Sequence, residues 1–105
     1  MLDSIYKAAE KVAPEEMCGL IIERDGVEKF IECKNFAENK LNHFKIDPKT
    51  FVKYQLISKI KYVVHSHYDS KCEPSEHDKR ACKKMGIPYM IVSYPKKEMC
   101  IYDPS

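Results

Sequence analysis

A chain of 105 residues has the length of one domain with a modest core, because compact domains run from about 50 to 250 residues and small ones bury proportionally less surface. A formal net charge of +2 is too small to point to nucleic acid or to an anionic membrane surface. No apolar run approaches the roughly 20 residues needed to cross a bilayer, and Met1-Leu2-Asp3-Ser4 opens no basic-then-apolar signal, so a cytoplasmic location is expected.

Asp3 or Ser4 is suited to cap a first helix in which Ile5, Ala8, Ala9 and Val12 recur at helical spacing, and Pro14 ends it. An apolar run from Met17 to Arg24, then Asp25-Gly26, then Val27 to Asn35 with alternating character predicts a β-hairpin. Residues 36–46 are polar and irregular. Asp47-Pro48 joins a cap to a first-turn proline and predicts a second helix through about Ser58. Ile60 to Ser66, rich in Val, Ile and Tyr, predicts a strand that delivers the chain to His65-Ser66-His67. Ser75 opens a third helical pattern with Ala81, Cys82 and Met85 inward, and Gly86 stands where a left-handed C-terminal cap is needed before Pro88. Tyr89 to Ser93 and Glu98 to Tyr102 flank Tyr94-Pro95-Lys96-Lys97 and predict a second hairpin. The sequence has no repeat, low-complexity tract or linker.

The cysteines at 18, 33, 72, 82 and 100 are odd in number and contain no Cys-x-x-Cys pair, which argues against a disulfide framework or a four-cysteine zinc knuckle. Cys18, Cys33 and Cys100 lie among strand-like apolar residues and Cys82 on a helical pattern, as reduced core thiols do.

Successive side chains of a strand face opposite sides, so His65 and His67 project together while Ser66 points away. Asp78 falls in the first turn of the third helix, and the ten residues between His67 and Asp78 are enough to fold back. Two histidines and a carboxylate, with a fourth tetrahedral position left for water, make a catalytic zinc site and not a closed structural one. Zinc lowers the pKa of its water toward about 7, and a nearby carboxylate must still carry protons to a leaving amine. Glu15 and Glu16 are neighbours that would face opposite sides of a strand, so one of them can reach such a site, and the residues alone do not choose between them.

Blander readings stand beside these. An isolated His-x-His is more often a strand-end pair bonded to loop carbonyls. Ser75 and Asp78 have the spacing of a helix capping box, a role compatible with chemistry. Cys72 and His77 are near the candidate ligands and suit zinc, but they read as a loop residue and an exposed first-turn residue. The lysines from Lys79 to Lys84 read as a wet helix face.

The arrangement His65-Ser66-His67, seven residues, Ser75, two residues, Asp78 resembles the JAMM motif of MPN+ metallopeptidases. Glu16-Met17-Cys18-Gly19 is similar to that family's upstream glutamate segment. The resemblance extends over most of the chain, including Phe44-Lys45-Ile46-Asp47-Pro48 and the strand after Gly86. It implies Zn2+ on His65, His67 and Asp78, with Glu16 and not Glu15 as the acid/base that bonds the metal water, and Ser75 stabilising the tetrahedral oxyanion. The fold it implies is α/β, the cytidine-deaminase-like JAMM/MPN fold, a central mixed β-sheet flanked by about three helices.

More narrowly, His65 to Asp78 followed by Gly86 to Pro95 resembles the JAMM domain of phage tail-assembly peptidases. The function implied is zinc-dependent hydrolysis of a peptide or isopeptide bond by metal-activated water, in phage tail assembly or cell-wall processing, on a protein or peptide substrate. A virion-associated location is then the alternative to a cytoplasmic one. Many relatives have proline after the second histidine where this chain has Tyr68, so the rim of the substrate groove is expected to differ. The phage proteins commonly join this domain to an NlpC-type cysteine peptidase, and none follows Tyr102, so the chain reads as a stand-alone version or a fragment. Ubiquitin-chain selectivity is not expected, since the insertions of larger deubiquitinating relatives are missing. The alternative is a non-catalytic scaffold or assembly module that binds a protein partner. A nucleobase deaminase ranks last, because His-x-Glu followed by Pro-Cys-x-x-Cys is absent.

Overall fold

The computed structural model describes residues 1–104. Helix α1 (Leu2–Val12) buries Ile5, Ala8 and Ala9 of the stripe that helical spacing predicts, and its fourth member, Val12, is partly buried. It begins earlier than expected: Met1 is the N-cap, no side chain caps the helix, and Asp3 instead lies in the first turn, where its charge suits the helix dipole. Strands β1 (Cys18–Arg24) and β2 (Val27–Cys33) form the first hairpin. Its two-residue turn puts both Asp25 (φ 54°) and Gly26 (φ 78°) in the left-handed region, the conformation that Asp-Gly tolerates and that matches strand twist. Helix α2 (Pro48–Ile57) starts where Asp47 accepts the Lys49 N–H, and strand β3 (Lys59–Tyr68) follows. Helix α3 (Glu76–Met85) ends at Gly86 in the left-handed region, and β4 (Tyr89–Tyr94) and β5 (Glu98–Tyr102) complete the chain.

The sheet order is β2-β1-β3-β4-β5, antiparallel except for β3 and β4, which α3 connects as a crossover. This is a mixed five-stranded sheet with three helices. Alternation along the central strands divides the core. Ile21, Val64, Met90 and Val92 pack with Ile5, Ala8 and Ala9 of α1, whereas Leu20, Ile22, Val63 and Tyr89 pack with Cys82 of α3 and with Phe51 and Tyr54 of α2. Burial on both faces explains why β1 reads as a continuous apolar run. No helix is long and apolar enough to cross a membrane among the described residues.

Two details correct the sequence reading. Met85, expected inward, is 43% exposed. Helix α3 lays only its Asp78–Cys82 edge against the sheet, and Met85 lies one turn further along. The two histidines sit inside β3, which continues to Tyr68, and not at its end. All five cysteines are free thiols, with Cys18 and Cys82 buried and the other three half-buried.

Gly19 shows how tightly β1 and β2 approach. A Cβ there would lie 2.5 Å from the Ile31 carbonyl oxygen and 2.6 Å from Phe30 Cε1, so the backbone itself would have to move. Gly19→Ala should therefore destabilise the protein by about 1–3 kcal/mol, the usual cost of overpacking, measured as a lowered urea midpoint. An unchanged midpoint would show that β2 yields freely.

Candidate metal centre

The site is built where β1, β3 and β4 run side by side. His65 pairs across the sheet with Cys18 of β1 and with Ile91 of β4, so it is fully buried at the centre of the sheet. His67, two residues on, shares its face. Ser66 points the other way, and its Oγ accepts the Met17 N–H at 2.8 Å while its own N–H donates to the Met17 carbonyl at 3.0 Å. This hook fixes the residue after Glu16 beside β3. Glu16 is consequently buried, with Oε1 3.5 Å from His65 Nδ1, whereas Glu15 is exposed.

Asp78 arrives from the other side through the capping box of α3. Ser75 Oγ accepts the Asp78 N–H and Asp78 Oδ2 accepts the Ser75 N–H, both at 3.0 Å. The same carboxylate places Oδ1 3.2 Å from His65 Nε2 and Oδ2 3.3 Å from His67 Nε2. One ligand atom each from His65, His67 and Asp78 lies within 4.8 Å of the others, a spacing at which a single cation could touch all three. His67 Nδ1 is 3.4 Å from the Lys71 carbonyl oxygen. A carbonyl only accepts, so with a cation on Nε2 that contact would hold the ring proton on Nδ1.

Both ring nitrogens of His65 are buried, and neither makes an aligned hydrogen bond, although a carboxylate stands within ion-pair reach of each. Orphaned buried nitrogens are costly, and a cation on Nε2 would satisfy one of them. Burial alone would depress the pKa of His65, but Asp78 and then Glu16 outweigh it and lift the imidazole to about 9. Burial would likewise raise the Asp78 carboxyl; the imidazoles of His65 and His67 and the Ser75 N–H hold it well below the usual carboxylate range. Two imidazole nitrogens and a carboxylate that converge at this spacing are a donor set that fits a divalent metal. Phe44 stacks on His65 at 4.5 Å between ring centroids, and Tyr89 meets it edge-on at 5.8 Å, so the site has apolar walls.

Residues without a sequence signal complete the support. Asn35 Nδ2 donates to the carbonyls of Glu16 and His43, each at 3.0 Å, and its Oδ1 accepts from Ala37 at 2.9 Å and Lys45 at 3.1 Å. Only an amide side chain both donates and accepts in this way, and it ties the irregular 35–45 segment, with Phe44, over Glu16 and His65. Ser93, buried on β4, donates to the Ser70 carbonyl at 2.6 Å and pins the loop between His67 and Asp78.

Cys72 lies outside this cluster. Its thiol donates to the Ile91 carbonyl at 3.0 Å, and burial together with Cys100 pushes its pKa up to about 12. His77 is exposed and meets His43 edge-on at 5.1 Å. Cys72→Ser should keep a full equivalent of metal by elemental mass spectrometry; loss of metal from a folded variant would put the thiol in the ligand set.

Comparison with known proteins bears on the family and the fold. Residues 1–102 match the family described as prokaryotic homologs of the JAB domain. The chain is 30% identical over 103 residues to tail tip assembly protein K of Escherichia phage N15, covering 98% of this chain and 42% of that protein. It thus spans less than half the length of this curated relative. A JAB1/MPN domain protein from Archaeoglobus fulgidus superposes with a TM-score of 0.69 at 25% identity, over 98% of this chain and 83% of the other. A protein from Desulfitobacterium hafniense gives 0.75 at 25% identity, over 95% and 75%. A structure described as JAMM, a metalloprotease-like zinc site in the proteasome and signalosome, gives 0.62 at 25% identity, over 98% and 81%.

Proposed function

Because the chain belongs to the family of prokaryotic homologs of the JAB domain and has the JAB/MPN fold, we propose that it is a zinc-dependent hydrolase of a peptide or isopeptide bond. The observation that carries the reading is the convergence of His65, His67 and Asp78 within 4.8 Å, with the buried carboxylate of Glu16 on the remaining nitrogen of His65. Zinc would be held by Nε2 of both histidines and by the Asp78 carboxylate. When bound, it would polarise the scissile carbonyl and bring the pKa of a water toward about 7.

The chain's own residues supply the rest. Glu16 takes a proton from the attacking water and returns it to the leaving amine. Ser75 Oγ already accepts the Asp78 N–H, which leaves its O–H free to donate to the developing oxyanion, so capping and catalysis use different parts of one hydroxyl. Phe44 and Tyr89 keep water off His65 and strengthen the charge interactions around it. The likeness to a tail tip assembly protein supports a setting in phage tail assembly, with tail proteins as substrates or partners.

A purified sample should contain one equivalent of zinc by elemental mass spectrometry and should cleave members of a peptide and isopeptide panel. Absence of metal binding would overturn the reading. Zinc without cleavage across the panel would favour the non-catalytic assembly module.

A further inference from the structure

On the same face of the sheet as the metal centre, a cavity of about 620 Å³ opens between the segment before α2, α2 itself and α3. Phe44, Ile46, Phe51, Val52, Met85 and Tyr89 form its apolar walls. The volume lies within the roughly 300–1,000 Å³ of ligand pockets. Val52 is 49% exposed and Met85 43%, apolar surface that an occupant would cover.

Two of these walls belong to the metal centre as well. Phe44 stacks on His65 and Tyr89 meets it edge-on, while His77, which also lines the cavity, directly precedes Asp78. A group seated in the cavity therefore lies one aromatic ring away from His65. The rim is charged in one sense: Lys45 and Lys84 line the cavity and no aspartate or glutamate does. A complementary occupant is apolar in its body and anionic beside it.

We infer that this cavity is the subsite for a bulky apolar residue of the peptide substrate, flanked by an acidic residue that Lys45 and Lys84 attract. The inference rests on the amide-hydrolase reading of the neighbouring centre. It also accounts for Met85, which leaves the core and stands at the cavity wall.

The test reads binding separately from turnover. The full chain, labelled with ¹⁵N, is titrated with acetyl-Glu-Phe-Gly-amide, acetyl-Glu-Ala-Gly-amide and acetyl-Gln-Phe-Gly-amide, with and without one equivalent of zinc. The Phe probe should bind at least about tenfold more tightly than the Ala probe, with the largest shifts at Val52, Ala81 and Met85. Glu should be preferred over Gln by about two- to fivefold, a preference lost in high salt. Val52→Trp, at a half-exposed position, should fill the cavity and remove the Phe preference without changing zinc content or the thermal midpoint. Lys84→Glu should abolish the preference for Glu. Equal affinity for the Phe and Ala probes, or an unchanged preference in Val52→Trp, overturns the subsite. Selective binding without cleavage of any panel peptide instead overturns the hydrolase reading and leaves the cavity a peptide-binding site.

Discussion

Glu16→Gln should lower cleavage by about 10²- to 10⁴-fold, the usual worth of general acid/base catalysis, while zinc content and thermal midpoint stay near wild type. Glutamine keeps the size of the side chain and leaves untouched the backbone bonds that place it, from the Glu16 N–H to the Lys40 carbonyl at 2.7 Å and from Asn35 to the Glu16 carbonyl at 3.0 Å. Exposed Glu15 is the control, and Glu15→Gln should be nearly silent. The geometry adds a sharper distinction. Glu16 Oε1 lies 3.5 Å from His65 Nδ1, whereas Asp78 approaches Nε2. A carboxylate behind a ligating imidazole tunes that ligand, and its loss typically lowers metal affinity about 10- to 100-fold. Zinc retained at full affinity with turnover lost assigns proton transfer; a matching fall in affinity assigns orientation of His65. Unchanged turnover would remove Glu16 from the chemistry.

Much of the candidate site's geometry is legible in the sequence because its signals are local. Alternation along a strand puts His65 and His67 on one face. The Ser75–Asp78 spacing is a capping box in the structure, and that box is what turns the Asp78 carboxylate toward both imidazoles. Asp25-Gly26 and Gly86 marked a turn and a helix end through the backbone conformations they permit. The mixed sheet with three helices, expected from the resemblance, is the architecture observed.

What was not legible depends on contacts distant in sequence. Residues alone could not separate Glu15 from Glu16. The separation comes from Ser66, which grips Met17 from across 49 positions of chain and turns Glu16 inward. The 35–46 stretch looked merely irregular, because nothing local reveals that one amide side chain, that of Asn35, ties it over the site. Met85 has helical spacing with Ala81 and Cys82, but where a helix meets its sheet is set by the crossover geometry and not by periodicity. Sheet order belongs to the same class, since β1 lies between β2 and β3 and only β3 and β4 run parallel.

Replacing either histidine with alanine should abolish stoichiometric zinc, and the two variants should differ in what else they lose. His65 is fully buried, stacked on Phe44 and wedged between two carboxylates. Its removal leaves a cavity and strands Glu16 and Asp78 without their shared counter-charge, so His65→Ala should also lose about 2–5 kcal/mol of stability. The His67 side chain retains 14% exposure and touches only one of those carboxylates, so His67→Ala should fold with a smaller loss and is the cleaner probe of the ligand set. The measurement is zinc by elemental mass spectrometry after equilibration at low-micromolar free zinc, with denaturant unfolding of the metal-free proteins beside it. Loss of zinc from folded His67→Ala, together with a larger fall in stability for His65→Ala, is the expected pair of results. A full equivalent of zinc retained by both variants would mean that these histidines are a packing pair and that the metal is held elsewhere.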